Sequence, residues 1–551
     1  MKRNLLKVSA AAMAAAFALT ACGSSSSGTA QTTAAAESGA EESSESTAEG
    51  TSAAKDTLVV ALQQDIVSFD PAFAYDHTTN QVVDQVCESL LQFTADGGLE
   101  PMLASSWEAT DATTYVYQIR DDVTFSDGNP MTMDDVLFSV ERHMDAEVAS
   151  NMAWFYESVE SIEQTGDWEL TVKLAQPDAA WQYAFATTAG CIIEKAYAEE
   201  NADTLGGPGV AVIGTGPYVY DNWVTGSEIT LKSNENYWDT SVNPQIKNID
   251  FQIINDETTL VTALKNEQVD FALEPPTEML SEFEGAGNLV VSDIGSWSCL
   301  HMAINCQSEY FSDVNVRLAV AYALDKDGLY NSILSDDGEE AINSIPFGSA
   351  LYGAASDSWT KYAETAFDPK GDLEKAKEYM AKSNYPDGFD CVLYVKNSSV
   401  RSSCALYVQS ALKEIGINVD VEVVDGSEMS NYQFGTSRDY DLLVINWEAD
   451  YPDAAANIYP LFYSQNAGEG GANASCYSNA EVDELLQKEN ASVDLEERTK
   501  LLQQTLDIVG QECPMITFYY ATNRVVMNQN VEYTMNPSYI WNFYIKDVVV
   551  K

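Results

Sequence analysis

Short alternating apolar runs recur along most of this chain. Leu58-Val59-Val60-Ala61-Leu62, Tyr115 to Ile119, Leu170 to Leu174, Ile229 to Lys232, Ile249 to Ile253 and Val419 to Val424 each predict a strand. Helical periodicity fills the intervals. Asp368-Pro369 predicts a helix start, the aspartate as cap and the proline in the first turn, with Leu373, Ala376 and Met380 on one face. Asp494 and Glu497 have the form of a capping box, followed by a stripe of Leu501, Leu502, Leu506 and Val509. Asp313 opens a helix that carries Val316 to Leu324. Interleaved strands and helices of this kind predict a mixed α/β fold.

One apolar run ends unusually. Leu442-Leu443-Val444-Ile445 leads into Trp447, Glu448, Asp450 and Asp453 within "INWEADYPDA". Three carboxylates this close fit a metal loop, an acid/base pair, an anchor for a cationic ligand or a solvated turn. The metal loop fails on spacing, because "EADYPDA" lacks the alternating acids and glycine of an EF-hand.

The apolar run nearest the start has another character. Lys2, Arg3 and Lys7 precede an Ala-rich segment from Val8 to Leu19, too short to span a bilayer. It predicts a secretory signal at 1–21. Residues 23–54 are almost wholly Gly, Ser, Thr, Ala, Gln and Glu. They cannot bury a core and predict a flexible tether spanning ~30 Å.

Length and charge narrow the class. The chain has 551 residues, enough for two or three domains. Against 28 Lys and Arg stand 85 Asp and Glu, a net charge of -57. No basic face is available to displace counterions, so nucleic acid and anionic lipid surfaces are excluded as partners. Self-repulsion of this size favours solubility in an external medium. The nine cysteines contain no C-x-x-C pair, and the histidines are three: His77, His143 and His301. Trp297, Cys299 and His301 alternate as on a core strand, with no standard zinc spacing, so no metal and no cofactor is expected. Nucleophile-elbow, metalloprotease, phosphate-loop and dinucleotide motifs are all missing from the sequence. No catalytic residue is assigned.

Two resemblances carry the functional expectation. Leu19-Thr20-Ala21-Cys22 resembles the lipobox of bacterial lipoproteins. It implies that Cys22 is lipid-modified and that residues 22–55 tether the body to the membrane. The second is the stretch from Leu103 to Arg142, "LASSWEATDATTYVYQIRDDVTFSDGNPMTMDDVLFSVER". It resembles the signature of the family 5 extracellular solute-binding proteins, the oligopeptide- and dipeptide-type receptors of ABC importers. "SFDPAFAYD" (68–76), "GTGPY" (214–218), "NENYW" (234–238), "ALKNEQVDF" (263–271), "VNVRLAVAYALD" (314–325), "FDPKGDLEKAKEYM" (367–380), "LKEIGINVDV" (412–421), "NWEADYPDA", "AEVDELL" (480–486) and "CPMITFYY" (513–520) follow the family pattern in order.

That resemblance implies a bilobal periplasmic-binding-protein-like α/β fold of the large type II, cluster C-like kind, with a hinge between lobes. By position, 56–95, 207–298 and 515–551 form a discontinuous lobe I, 96–206 an inserted small domain, and 299–514 lobe II. It implies a monomeric, non-catalytic receptor, exported and lipid-anchored on the outer face of the bacterial cytoplasmic membrane. The surface is the cell's own if there is one membrane, and periplasmic otherwise. Its partners are a peptide and the ABC permease, with an oligosaccharide or other cationic solute as the alternative ligand. A surface hydrolase is the alternative of another class.

Site residues follow from the same source. The aspartate of the family's W-x-x-D segment holds a peptide's α-ammonium, and the matching residue is Asp450. Trp447 lines the cleft or packs as core, and Asn446 and Glu448 flank it. Asp453 reads as a helix cap ahead of "AAANIYPLF". Tyr75, Asp76 and His77 match a first-lobe loop that touches the ligand backbone. Some relatives carry an arginine three residues before the tryptophan, where this chain has Val444. Lys396 and Arg401, in "YVKNSSVRSS", are the candidates for a ligand carboxylate instead.

Overall fold

The computed structural model describes residues 55–276, 279–334, 338–435, 437–534, 541 and 543–551. The expected signal peptide, Cys22 and the tether at 23–54 lie outside the described residues.

Two strands organise the rest. Leu289–Ile304 and Met515–Asn528 run antiparallel through the middle of an eleven-stranded sheet. On one side follow Phe271–Leu273, Thr57–Leu62, Asn248–Ile253, Glu228–Ser233 and Tyr218–Val224. On the other follow Leu442–Glu448, Phe389–Lys396 and Ile417–Val424. The short strand Gly338–Glu340 pairs beside Met515–Asn528.

The two long strands change partners halfway. Leu289 to Gly295 pair with Asn528 to Thr522, and Cys299 to Ala303 pair with Tyr520 to Met515, with register shifts between. Such shifts bend and twist a ladder locally. Two large hydrophobic clusters pack on the sheet. Leu58, Val60, Phe251 and Phe271 belong to one. Leu300, Met302, Ile304, Leu393, Val395, Leu442 and Val444 belong to another, closed by Val316, Ala376, Cys404 and Val408 from helices Val314–Ala323, Leu373–Lys382 and Ser399–Lys413. The first cluster also takes in Ile458, Leu486, Leu502 and Leu506, and each fully buried Val or Leu contributes about 1.5–3 kcal/mol.

A four-stranded antiparallel sheet, Ala104–Asp111, Thr114–Ile119, Glu169–Leu174 and Val159–Gly166, stands apart from the large one. Helix Met133–Glu141 starts in its Thr114–Val159 connection with a full capping box between Thr132 and Asp135. Just past that helix, Arg142 forks onto the buried Asp70 at 2.9 and 2.5 Å. The "SFDP" and "VER" segments, far apart in sequence, are thereby held together.

Two helix starts differ from expectation. Helix Leu373–Lys382 is capped by Asp372, whose carboxylate accepts from the Lys375 amide, rather than by Asp368. The cause is local. Gly371 takes a left-handed φ of 69°, which breaks the helix path, and Asp368 is engaged by the buried Lys326 at 2.6 Å. Helix Leu495–Glu512 has its cap, Asp494 to the Glu497 amide at 2.8 Å. The box is incomplete, because the Glu497 carboxylate takes the Ser492 hydroxyl at 2.7 Å instead. Ala376 and Met380, and Leu502, Leu506 and Val509, are buried as their periodicity required.

Candidate functional site

Strand direction brings the site residues together. Thr57–Leu62 is parallel to both Asn248–Ile253 and Phe271–Leu273, so Leu62 and Leu273 leave the sheet on one edge. Leu442–Glu448 runs the opposite way relative to them and ends at Ser298, at the bend of the long strands. Carboxyl ends of strands from both halves therefore face one another across the bend. Crevices of this kind, outside the carboxyl ends of α/β strands, are where ligands bind.

A cavity of about 520 Å³ lies there. Its walls are Ala61 to Gln64, Tyr75 to Thr78, Gln81, Leu273, Glu274, Glu448 to Asp450, and Trp541. Asp76 caps helix His77–Val86, accepting from the Thr79 amide at 3.0 Å and the Thr79 hydroxyl at 2.6 Å. The cap fixes where Tyr75 and His77 leave the backbone. The Tyr75 hydroxyl donates to Asp450 Oδ1 at 2.7 Å. The Trp541 indole N–H donates to the Asp450 carbonyl at 2.8 Å. His77 Nδ1 lies 2.7 Å from Glu274 Oε1, and its Nε2 lies 3.7 Å from Glu448 Oε1.

The electrostatics follow from this crowding. Burial pushes the Asp450 carboxyl up to about 6, although the Tyr75 hydrogen bond pulls the other way. Burial also raises Glu448, to about 7; the His77 charge opposes this, and the charges of Glu274 and Asp450 add to it. For His77, burial disfavours the imidazolium, but the Glu274 hydrogen bond and the charges of Glu274, Glu448 and Asp76 outweigh it and hold the ring at about 9. The Tyr75 phenol is pushed well up by burial and by Asp450. At neutral pH the cavity is thus acidic, with one imidazolium embedded in it.

The sequence candidates divide. Tyr75, Asp76, His77, Glu448 and Asp450 share the cavity wall. Trp447, Asn446, Lys396 and Arg401 are not part of that wall. The Trp447 indole donates to the Ala456 carbonyl at 2.9 Å and packs half-buried against Phe434. Asn446 Oδ1 accepts from Arg401 Nη2 at 2.8 Å. Lys396 is exposed at the end of its strand. Val444 is fully buried among Leu393, Val395 and Cys404, so a basic side chain there would enter the core. Arg401, half-buried in the first turn of helix Ser399–Lys413, reaches Asn446, two residues beyond Val444 on strand Leu442–Glu448. Burial lowers its pKa.

Asp453 was expected as a helix cap, but the N-cap of helix Ala455–Phe462 is Ala454, and Asp453 sits one residue ahead of it. Asp453 accepts from the Ala455 amide at 2.8 Å, and also from the Tyr183 hydroxyl at 2.7 Å and from Arg498 at 2.8 Å. Arg498 in turn meets the buried Glu489 at 2.7 Å. Burial alone would raise Asp453; the Arg498 charge holds it below the usual carboxylate range.

Sequence reasoning missed Gln63, Gln64, Gln81, Glu274 and Trp541. Glu274 directly follows the strand Phe271–Leu273, and a rule that strand exits line the crevice would have found it.

Residues 98–469 match the family described as bacterial extracellular solute-binding proteins, family 5. The chain is 27% identical over 492 residues to the probable D,D-dipeptide-binding periplasmic protein DdpA of Escherichia coli K12, covering 88% of this chain and 92% of that one. It is 27% identical over 527 residues to the oligopeptide-binding protein OppA of Bacillus subtilis 168, covering 90% and 94%. The solved structure of the oligopeptide-binding protein AppA from Bacillus subtilis, in complex with a nonapeptide, superposes with a TM-score of 0.67 at 25% identity, covering 90% of this chain and 99% of that one. The architecture is that of a bilobal periplasmic binding protein.

Proposed function

From the premise that this chain belongs to the bacterial extracellular solute-binding proteins of family 5, we propose that it is a peptide receptor. It captures peptides with a free N-terminus outside the cytoplasm and delivers them to the permease of an ABC importer. Lobe I is 56–95, 207–298 and 515–551, lobe II is 299–514, and 96–206 is an insertion. Cys22 carries the lipid that holds the receptor, as a monomer, at the membrane.

The observation that carries this reading is the Asp450 carboxylate in the wall of the interlobe cavity, oriented by Tyr75. A carboxylate so placed makes a strong charge-assisted hydrogen bond to an ammonium. Peptide-bearing relatives, DdpA, OppA and AppA among them by their names, support the substrate class. Arg401 lies outside that cavity wall and takes the terminal carboxylate of a peptide long enough to reach it; its guanidinium has only the Asn446 amide oxygen as a hydrogen-bond partner among the described residues.

The test is calorimetry with synthetic tri- to pentapeptides, each with a free or an acetylated N-terminus. Free peptides bind and acetylated ones do not. Equal binding of both forms overturns the ammonium reading. Native mass spectrometry of receptor purified from cells then shows which peptides it carries.

A further inference from the structure

Four carboxylates, Asp76, Glu274, Glu448 and Asp450, line the cavity, and among its lining residues His77 is the one basic group. Three of the four are committed. Asp76 accepts from the Thr79 amide and hydroxyl, one on each oxygen. Glu274 holds His77 Nδ1 at 2.7 Å. Asp450 takes the Tyr75 hydroxyl and, in the reading above, the ligand's α-ammonium. Glu448 is different. Its carboxylate makes no hydrogen bond among the described residues, and its nearest cation, His77 Nε2, stands 3.7 Å away and is already shared with Glu274. A half-buried carboxylate in this state is under-compensated.

The position of Glu448 says what would compensate it. It leaves the strand two residues before Asp450 and shares the same cavity wall. The first side chain of a peptide begins one carbon from the α-ammonium. Resting on the peptide reading, we propose that this receptor selects peptides whose first residue is lysine or arginine, with Glu448 receiving the side-chain cation while Asp450 holds the α-ammonium. An ammonium or guanidinium supplies a charge-assisted hydrogen bond that the protein itself leaves unmade. An acidic first residue would face four carboxylates and be rejected by repulsion. The net charge of -57 favours encounter with such cations at low salt.

The test uses four pentapeptides that differ only at the first residue, Lys, norleucine, Ala or Glu, followed by four alanines. Binding is measured by calorimetry at pH 7.5 to the wild type, Glu448→Gln and Asp450→Asn. Norleucine matches the lysine stem without its charge. The wild type binds the Lys peptide at least about tenfold tighter than the norleucine peptide. Glu448→Gln abolishes that difference. Asp450→Asn weakens every peptide. Equal binding of Lys and norleucine peptides by the wild type overturns the inference and leaves the peptide reading intact. So does a preference for Lys that survives Glu448→Gln. If no peptide of the set binds the wild type, the peptide reading falls, and this inference with it.

Discussion

The Tyr75 hydroxyl donates to the Asp450 carboxylate at 2.7 Å, joining residues 375 positions apart. The contact crosses from the loop ahead of helix His77–Val86 to the exit of strand Leu442–Glu448. It turns one carboxylate oxygen toward the first segment.

Asp450→Asn therefore weakens peptide binding by about 2–5 kcal/mol, the range for removing one member of a buried charge pair. Tyr75→Phe costs less, about 1 kcal/mol, because it removes a positioning hydrogen bond and leaves the charge. Calorimetric titration of both variants with one peptide checks the order of the two effects. The reverse order would show that Asp450 does not hold the cation.

Affinity depends on pH with a defined sign. In the proposed mode the ligand's α-ammonium needs ionised Asp450 and a first-residue side-chain cation needs ionised Glu448, whose carboxyls lie at about 6 and about 7 in the empty cleft. Protons compete below those values, so binding weakens as pH falls through 7 and 6, by up to about tenfold per unit for each group that must lose its proton. Above ~8 the peptide α-amine deprotonates and binding weakens again. The unliganded protein behaves oppositely with respect to these two carboxyls. Their folded pKa values lie above the unfolded ones, so they favour folding at low pH, and this contribution is lost as pH rises through about 7. The ligand-induced rise in melting temperature is accordingly largest near pH 7.5 and shrinks below pH 6.

Arg498 is buried between Asp453 and Glu489. Arg498→Met leaves both acids without their cation and costs about 3–5 kcal/mol of stability, read as a lower denaturation midpoint. Adding Asp453→Asn and Glu489→Gln restores part of it. Full stability in the single variant would show that the acids are not ionised in the folded protein.

Arg401→Ala weakens short peptides with a free carboxyl terminus by about 2 kcal/mol or more and leaves their C-terminal amides unchanged. Equal losses for both forms would assign Arg401 to holding Asn446 rather than the ligand.

Much of this was legible beforehand, for physical reasons. Alternation and helical spacing report burial directly, so Leu58 to Leu62, Val419 to Val424 and the faces of Leu373–Lys382 and Leu495–Glu512 emerged from pattern alone. Helix starts were less secure, since several acids compete for each cap. Asp372 displaced Asp368 because Lys326, distant in sequence, had claimed the latter. The same reason hid Glu274 and Trp541. Glu274 had only its place at a strand exit as a signal and Trp541 had none; each is carried to the cavity by tertiary pairing. Asp453 read locally as a cap, and its partners Tyr183 and Arg498 come from other regions of the chain. Val444 and Arg401 show the converse. The missing arginine in the strand pattern was visible, and Lys396 and Arg401 could both be named in its place; that Arg401 reaches the strand at Asn446 was not.

The ladder described above also sets an order of events. Val60 pairs with Phe271, and Phe271 pairs with Met527. The sheet half that contains the first strand thus takes its closing strand from residues almost at the end of the chain. During synthesis, which proceeds from the amino terminus, that half stays unfinished until the strand Met515–Asn528 has emerged. Strand pairings across so long a stretch of sequence are slow to form. A chain cut before Met515 would then yield no functional fragment, because it lacks the strand on which both halves are built.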